Sequence, residues 1–162
     1  MIAQLSGDPM NDFVPLPVAD ELAIRSMFAR YVHLLDSGDA RGWSNLFTDD
    51  GSWTRLNSPP RELGGSGLAA ETISGRENLY QMAIDVVHKR FNHLVRHQMT
   101  DVFIEAGDTP DDARGLSRAI ITDWNGGAGK LAMVGSYSLT FRRTEKGWRI
   151  RSIACDLVPK NR

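Results

Sequence analysis

Two side chains in this sequence have the types and settings for proton transfer: Asp36 in the run RYVHLLDSGD, and His97 in the run RHQMTDVFIE. A neutral imidazole accepts a proton near neutral pH when a carboxylate on its other ring nitrogen fixes the tautomer and stabilises the imidazolium. The acid stands where an amphipathic helix breaks at Gly38, and the imidazole opens a strand-like run. The two meet only if that helix packs across that strand. Read from spacing alone, Asp36 equally well ends a helix and His97 equally well sits satisfied in a strand.

Further candidates follow from periodicity. Tyr31 belongs to the apolar face of the first helix, five positions before Asp36, and on an ideal helix the two point roughly 140° apart. Both reach one pocket only if the helix tightens or ends by Asp36. Asp123, in IITDWN, is an acid inside an otherwise apolar strand, a costly place without a partner or a task. Tyr137 shares a strand face with Leu139, Phe141 and Arg143; ordinary packing accounts equally well for the tyrosine, and a solvated hairpin end for the arginine. Met99 and Phe103 share parity with His97 and form an apolar wall, with Asp101 as an edge or turn acid. His93 and His97 have H-x-x-x-H spacing but no glutamate between them of the H-E-x-x-H kind, so no metal site is expected. His33 and His88 are expected in solvent. Gly64, Gly65 and Gly67 precede no G-K-[ST] sequence, and Ser66 and Cys155 have no histidine at a recognisable spacing for nucleophilic catalysis.

The elements that must position these groups are legible in outline. Residues 1–18, with Pro9, Pro15 and Pro17, read as an N-terminal arm on the surface or on a neighbouring subunit, and residues 19–162 as one domain. A first helix starts near Asp20 as its cap and buries Ile24, Met27, Phe28, Tyr31, Val32 and Leu35. Gly38 ends it, and Asp39 caps a short helix through Trp43, Leu46 and Phe47. A turn at Asp50-Gly51 leads to a strand through Trp53, and residues 57–75 form a long loop. Ser74 and Glu77 make a capping box for a third helix through Leu79, Met82, Ile84 and Val87. Four strands follow, over 97–106, 115–125, 131–143 and 148–158. The order predicts an α+β fold: a mostly antiparallel sheet with helices packed on one face, leaving a pocket between them.

The totals bound the function classes. A chain of 162 residues with 41% hydrophobic and 24% charged residues is an ordinary single-domain composition. A net charge of -1 with scattered basic residues offers no phosphate-tracking surface, so nucleic acid is not an expected partner. No apolar run approaches the ~20 residues needed to span a bilayer, and the first residues do not read as a signal peptide. A single cysteine fits a reducing, cytoplasmic compartment.

Taken together, Y-x-x-x-x-D followed by Gly-Asp and Trp43, then LFTDDG, GRENL, RHQMTDVFIE and GSYSLTFRRTEKGWRI, resemble the SnoaL-like group of the nuclear transport factor 2-like superfamily. The likeness runs over residues 19–158 and is closest in character to scytalone dehydratase and bile-acid dehydratase. It implies a cone-like curved, mostly antiparallel sheet with three helices enclosing a pocket. It also implies a homo-oligomer, trimer before dimer, and a cofactor-independent lyase acting on a small hydrophobic substrate. By position it implies Asp36 and His97 as the catalytic pair, with Tyr31, Asp123, Tyr137 and Arg143 near substrate. Asp123 stands where scytalone dehydratase has a second histidine, which departs from that enzyme and agrees with the bile-acid dehydratases. The same parts serve an isomerase, a cyclase or a dehydrochlorinase. The fold also hosts non-catalytic ligand-binding modules and the β subunits of ring-hydroxylating dioxygenases.

Overall fold

The structure, a computed structural model, describes residues 13–57, 69–90 and 92–157. Most of the expected arm and the centre of the expected loop lie outside them.

Helix α1 (Val18–Ser37) follows from its spacing: Ile24, Met27, Phe28, Tyr31 and Leu35 recur three or four apart and are all buried. Pro17, not Asp20, precedes the first turn, which suits a residue whose missing N–H would have been unpaired there. The Asp20 carboxylate instead accepts hydrogen bonds from Arg143 Nη2 (2.6 Å) and Trp148 Nε1 (3.1 Å), tying the start of α1 to the last hairpin. At the other end Gly38 takes the left-handed conformation (φ 90°), and the Asp39 N–H donates to the Leu34 carbonyl at 3.0 Å. Asp39 then caps α2 (Ala40–Ser44) by accepting from the Gly42 N–H at 2.7 Å, as its position predicts. Before α1, the Val14 carbonyl accepts from the Ala106 N–H, and Phe13 packs against Phe103 with ring centroids 5.5 Å apart. The described end of the arm therefore lies on this subunit's own sheet.

Among the described residues six strands form one curved sheet: β1 (Phe47–Asn57), β2 (Glu71–Ser74), β3 (Val95–Ala106), β4 (Asp112–Asp123), β5 (Lys130–Thr144) and β6 (Gly147–Asp156). Their order is β2-β1-β6-β5-β4-β3, antiparallel except for the β1–β6 pair. Alternation sets the two faces. Ala113, Gly115, Ser117, Ala119 and Ile121 of β4, and Tyr137, Leu139 and Phe141 of β5, are buried on the helix side, while the residues between them on both strands are exposed. An aromatic nest of Tyr31, Trp43 and Phe47 joins α1, α2 and β1, with the Trp43–Phe47 rings edge to face at 4.9 Å. Truncating any one of these buried rings costs about 3–5 kcal/mol.

Four local expectations are corrected. Asp50-Gly51 is not a turn: β1 runs through it, and Gly51 marks a bulge where a Cβ would lie 2.9 Å from that of Phe47. The expected loop contains strand β2, held to β1 by the Thr54–Thr72 hydroxyl bond (3.0 Å) and by Arg55 with Glu71 (2.7 Å). Ser74 ends β2 rather than capping α3 (Arg76–Met82); Gly75 precedes that helix, and Glu77 pairs with Arg41 at 2.8 Å. The wall of Met99 and Phe103 is broken by a bulge at Asp101 (φ 49°), between Thr100 and Phe103 in the β3–β4 register. One inserted residue reverses the side-chain parity. Met99 and Val102 therefore face α1, and Phe103 turns outward to Phe13.

Beyond α3 the chain continues as a π-helix, Ala83–Arg90. Its wider turn brings Val87 and His88 inward together, which a 3.6-residue period does not anticipate.

Candidate active site

The end of α1 crosses the mouth of β3, and there Asp36 meets His97. Asp36 Oδ1 lies 2.6 Å from His97 Nδ1, and Oδ2 accepts the His97 backbone N–H at 2.9 Å. Both oxygens of one carboxylate thus hold one residue, fixing ring and main chain together. A carboxylate only accepts, so Nδ1 carries the proton and Nε2 is the basic nitrogen. Among the described residues Nε2 has no hydrogen-bond partner. The side chains are 9% and 14% exposed, so the pair is shielded from water but not sealed from it.

Helix α1 stays α-helical through Ser37, so the angle between Tyr31 and Asp36 is not closed by tightening. Asp36 reaches sideways from the last turn to β3, while Tyr31 points into the aromatic nest. Tyr31 is 1% exposed and Tyr137 3%. Burial pushes both phenols well above their ordinary range; for Tyr31 the indoles of Trp43 and Trp53 act in the opposite direction, and for both the Asp36 charge adds to the rise. Both hydroxyls therefore stay protonated as donors. Tyr137 stands opposite Ser117 on β4 and Cys155 on β6. Burial likewise raises the Cys155 thiol, which Tyr137, Arg55 and Trp53 partly offset. Among the described residues the wholly buried Trp43 indole N–H makes no hydrogen bond of regular geometry, and it faces the Tyr31 hydroxyl. Two phenols, a thiol and an indole N–H thus make a polar interior in an otherwise apolar core.

The other two expected site residues are placed differently. Asp123 ends β4 beside Val95, and its Oδ1 accepts from the backbone N–H (2.9 Å) and the side-chain amide (2.6 Å) of Asn125, closing the β4–β5 turn. Arg143 lies at the far end of β5 from the His97 row of Ile121 and Met133. It pairs with Asp20 and covers the Trp148 ring at 4.6 Å. The structure brings together Asp36 and His97, sets Tyr31 and Tyr137 behind them, and engages Asp123 and Arg143 elsewhere.

Sequence reasoning missed His88. Its ring is buried, not solvated: Nε2 lies 3.2 Å from the Leu35 carbonyl, and the ring stacks on His93 at 4.6 Å. No signal of 3.6-residue periodicity would have found it, because the π-helix sets its direction. Trp43, Trp53 and Cys155 share the interior with the tyrosines, and only the strand parity of Cys155 with Ile153 marks it in advance.

No curated protein sequence matches the chain. Solved structures do. An NTF2-like protein with a cystatin-like fold from Novosphingobium aromaticivorans is 25% identical, with a TM-score of 0.73 over 89% of this chain and 85% of its own. The hexachlorocyclohexane dehydrochlorinase LinA-type3 from Novosphingobium barchaimii LL02 is 18% identical, with a TM-score of 0.68 over 88% of each chain. ActVI-ORFA from Streptomyces coelicolor is 15% identical, with a TM-score of 0.71 over 90% of this chain and all of its own. The last two likenesses show the fold. A model of the SnoaL-like domain matches residues 17–154 of this sequence, which spans every helix and strand around the Asp36–His97 pair, and the chain belongs to that family.

Proposed function

We propose that the protein is a cofactor-independent lyase, a dehydratase that removes water from a small cyclic 3-hydroxyketone or a related hydroxylated carbonyl compound. The observation that carries this reading is the two-point grip of Asp36 on His97, which leaves Nε2 as a neutral base. His97 Nε2 takes the proton next to the carbonyl, and the C–H electron pair enters the enolate. Asp36 holds the resulting imidazolium by charge and by the Nδ1–H bond. The enolate re-forms the carbonyl and expels the neighbouring hydroxyl, which leaves as water with the proton held on His97. Tyr31 and Tyr137, protonated donors behind the pair, hold the carbonyl as it becomes an oxyanion. Asp123 and Arg143 have no step in this proposal, since their side chains close a turn and an ion pair.

The same first step begins an isomerisation, a cyclisation or the elimination that a dehydrochlorinase performs, and the leaving group of the substrate distinguishes them. A homo-oligomer, trimer before dimer, and a cytoplasmic location belong to the same reading. Exposed Leu116, Ile120 and Val134 on the outer sheet face support the first, and the free, buried Cys155 the second. No helix of the described residues is long and apolar enough to cross a membrane.

Exchange of solvent deuterium into a panel of cyclic 3-hydroxyketones, with the enone product followed by its absorbance, tests the proposal. His97→Ala is expected to lose about 10²- to 10⁴-fold in both readouts, the range of general base catalysis, and Asp36→Asn a large part of that. Exchange that is unchanged in His97→Ala overturns it.

A further inference from the structure

The pair needs Asp36 held still, yet Asp36 sits in the last turn of α1, where helices fray and carbonyls lose their partners. Leu35 has one such carbonyl. Among the described residues its bonds outside the regular helix ladder are a long one from the Gly38 N–H (3.3 Å) and one from His88 Nε2 at 3.2 Å. That carbonyl belongs to the peptide group completed by the Asp36 nitrogen, so the His88 bond fixes the plane from which the Asp36 side chain departs. Because a carbonyl only accepts, His88 Nε2 carries a proton.

His93 completes the grip. Its ring stacks on His88 with centroids 4.6 Å apart and planes 23° from parallel. It also lies against Gly38, where a Cβ would stand 3.0 Å from His93 Nδ1. Asn92 and His93 both adopt positive φ, 50° and 58°, a conformation uncommon outside glycine that persists where surrounding contacts impose it. The His93 carbonyl accepts from Arg96 Nη1 at 2.9 Å, one residue before His97. Contacts therefore close a ring: Leu35 to His88, His88 to His93, His93 to Arg96, and from His97 back to Asp36.

We infer that the His88–His93 stack is the positioning unit of the dyad, setting the Asp36 carboxylate on His97 from the π-helix side without touching substrate. This rests on the proposed role of the Asp36–His97 pair, but its test does not depend on the substrate. A short Nδ1–H bond to a carboxylate gives a far-downfield imidazole proton, visible in the NMR spectrum of the protein alone, and Asp36→Ala identifies the signal by removing it. His88→Leu is expected to weaken or shift that resonance and to lower kcat on the 3-hydroxyketone panel about 10- to 100-fold with KM little changed, the signature of a misplaced catalytic group. His88→Gln, whose amide can donate to the same carbonyl, is expected to restore both. His93→Ala removes the stack from an exposed position without opening the core, and is expected to give an intermediate shift even if His88→Leu does not fold. A resonance unchanged in His88→Leu, or, where that variant does not fold, unchanged in His93→Ala, overturns the inference and leaves the dyad intact. A resonance shifted as expected in a protein that turns over no ketone retains the positioning role and removes the proposed reaction.

Discussion

At the level of single residues, the chemistry is carried by what surrounds each polar atom. The tyrosines are the clearest case. Tyr137 is buried with its hydroxyl beside the Cys155 thiol, and burial holds it protonated throughout the working range of an enzyme. A phenol in that state donates to a developing oxyanion and does not compete as a base. Tyr137→Phe keeps the ring and removes the donor, so it is expected to lower kcat about 10²-fold with a small change in melting temperature. Steady-state kinetics beside thermal denaturation check this, and a variant with full kcat removes Tyr137 from the site. How much of this was legible in sequence differs by residue. The meeting of Asp36 and His97 was legible through the family resemblance, because spacing alone left each with an equally good structural reading. Asp123 was legible as an acid in an apolar strand, but its two-residue reach to Asn125 is decided by the turn that follows. Arg143 was legible as a hairpin-end arginine, and its partner Asp20, which lies at the start of the chain's first helix, is not written in local spacing.

At the level of elements, the turn after α1 and the π-helix packed on it hold the dyad together. Gly38 is required there twice, by its φ of 90° and by the closeness of His93. Gly38→Ala is expected to destabilise the protein by more than ~1 kcal/mol, a fall in midpoint measurable by urea titration. An unaltered midpoint shows that His93 moves aside freely. His88 gives the same junction a pH dependence. Burial is the largest influence on it and lowers its pKa from 6.5; the Leu35 carbonyl opposes this, and His93, stacked on it, adds to the lowering. The unfolded chain therefore binds this proton more readily than the folded one. The contribution of His88 is fully present above its unfolded value and is lost as pH falls through and below about 6.5. Urea midpoints measured from pH 7.5 to 5 are expected to fall more steeply in the wild type than in His88→Gln, and parallel curves exclude His88 as the source. The caps at Gly38 and Asp39 and the four long strands of this fold were legible because each rests on its own turn residues and period, whereas Asp20 and Ser74 do not cap the helices expected of them. The bulge at Asp101, strand β2 and the inward turn of His88 were not, since each answers to a neighbour distant in sequence.

At the level of the whole molecule, the sheet has two faces and the helices cover one. The outer face of β4 and β5 exposes Leu116, Ile120 and Val134 between 38% and 41%, and Ile120 stands directly opposite Val134 in the register. Beside them a groove of about 440 Å³ is lined by Phe103, Leu116, Leu56 and Ala154, with Glu105 and Arg114 paired across it at 2.6 Å. Arg118 and Ser136 stand between Leu116 and the Ile120–Val134 pair on that face, so the exposed apolar residues form two groups rimmed by polar ones, the pattern of an interaction surface. Charges of both signs at its rim let neighbouring copies meet there without repulsion. The proposed homo-oligomer is therefore expected to pack through this face, which lies opposite the helices and leaves the Asp36–His97 mouth free. Sedimentation at micromolar concentration is expected to give a species larger than the 18.0 kDa chain, a trimer before a dimer. Placing Glu at both Ile120 and Val134 is expected to shift it to monomer while leaving the circular dichroism of the sheet and the NMR signal of the dyad in place. The two substitutions set like charges opposite one another on an exposed surface, which costs the fold little and the interface several kcal/mol. A wild type that sediments as monomer removes the oligomer, and an oligomer that survives both substitutions moves the interface to another face.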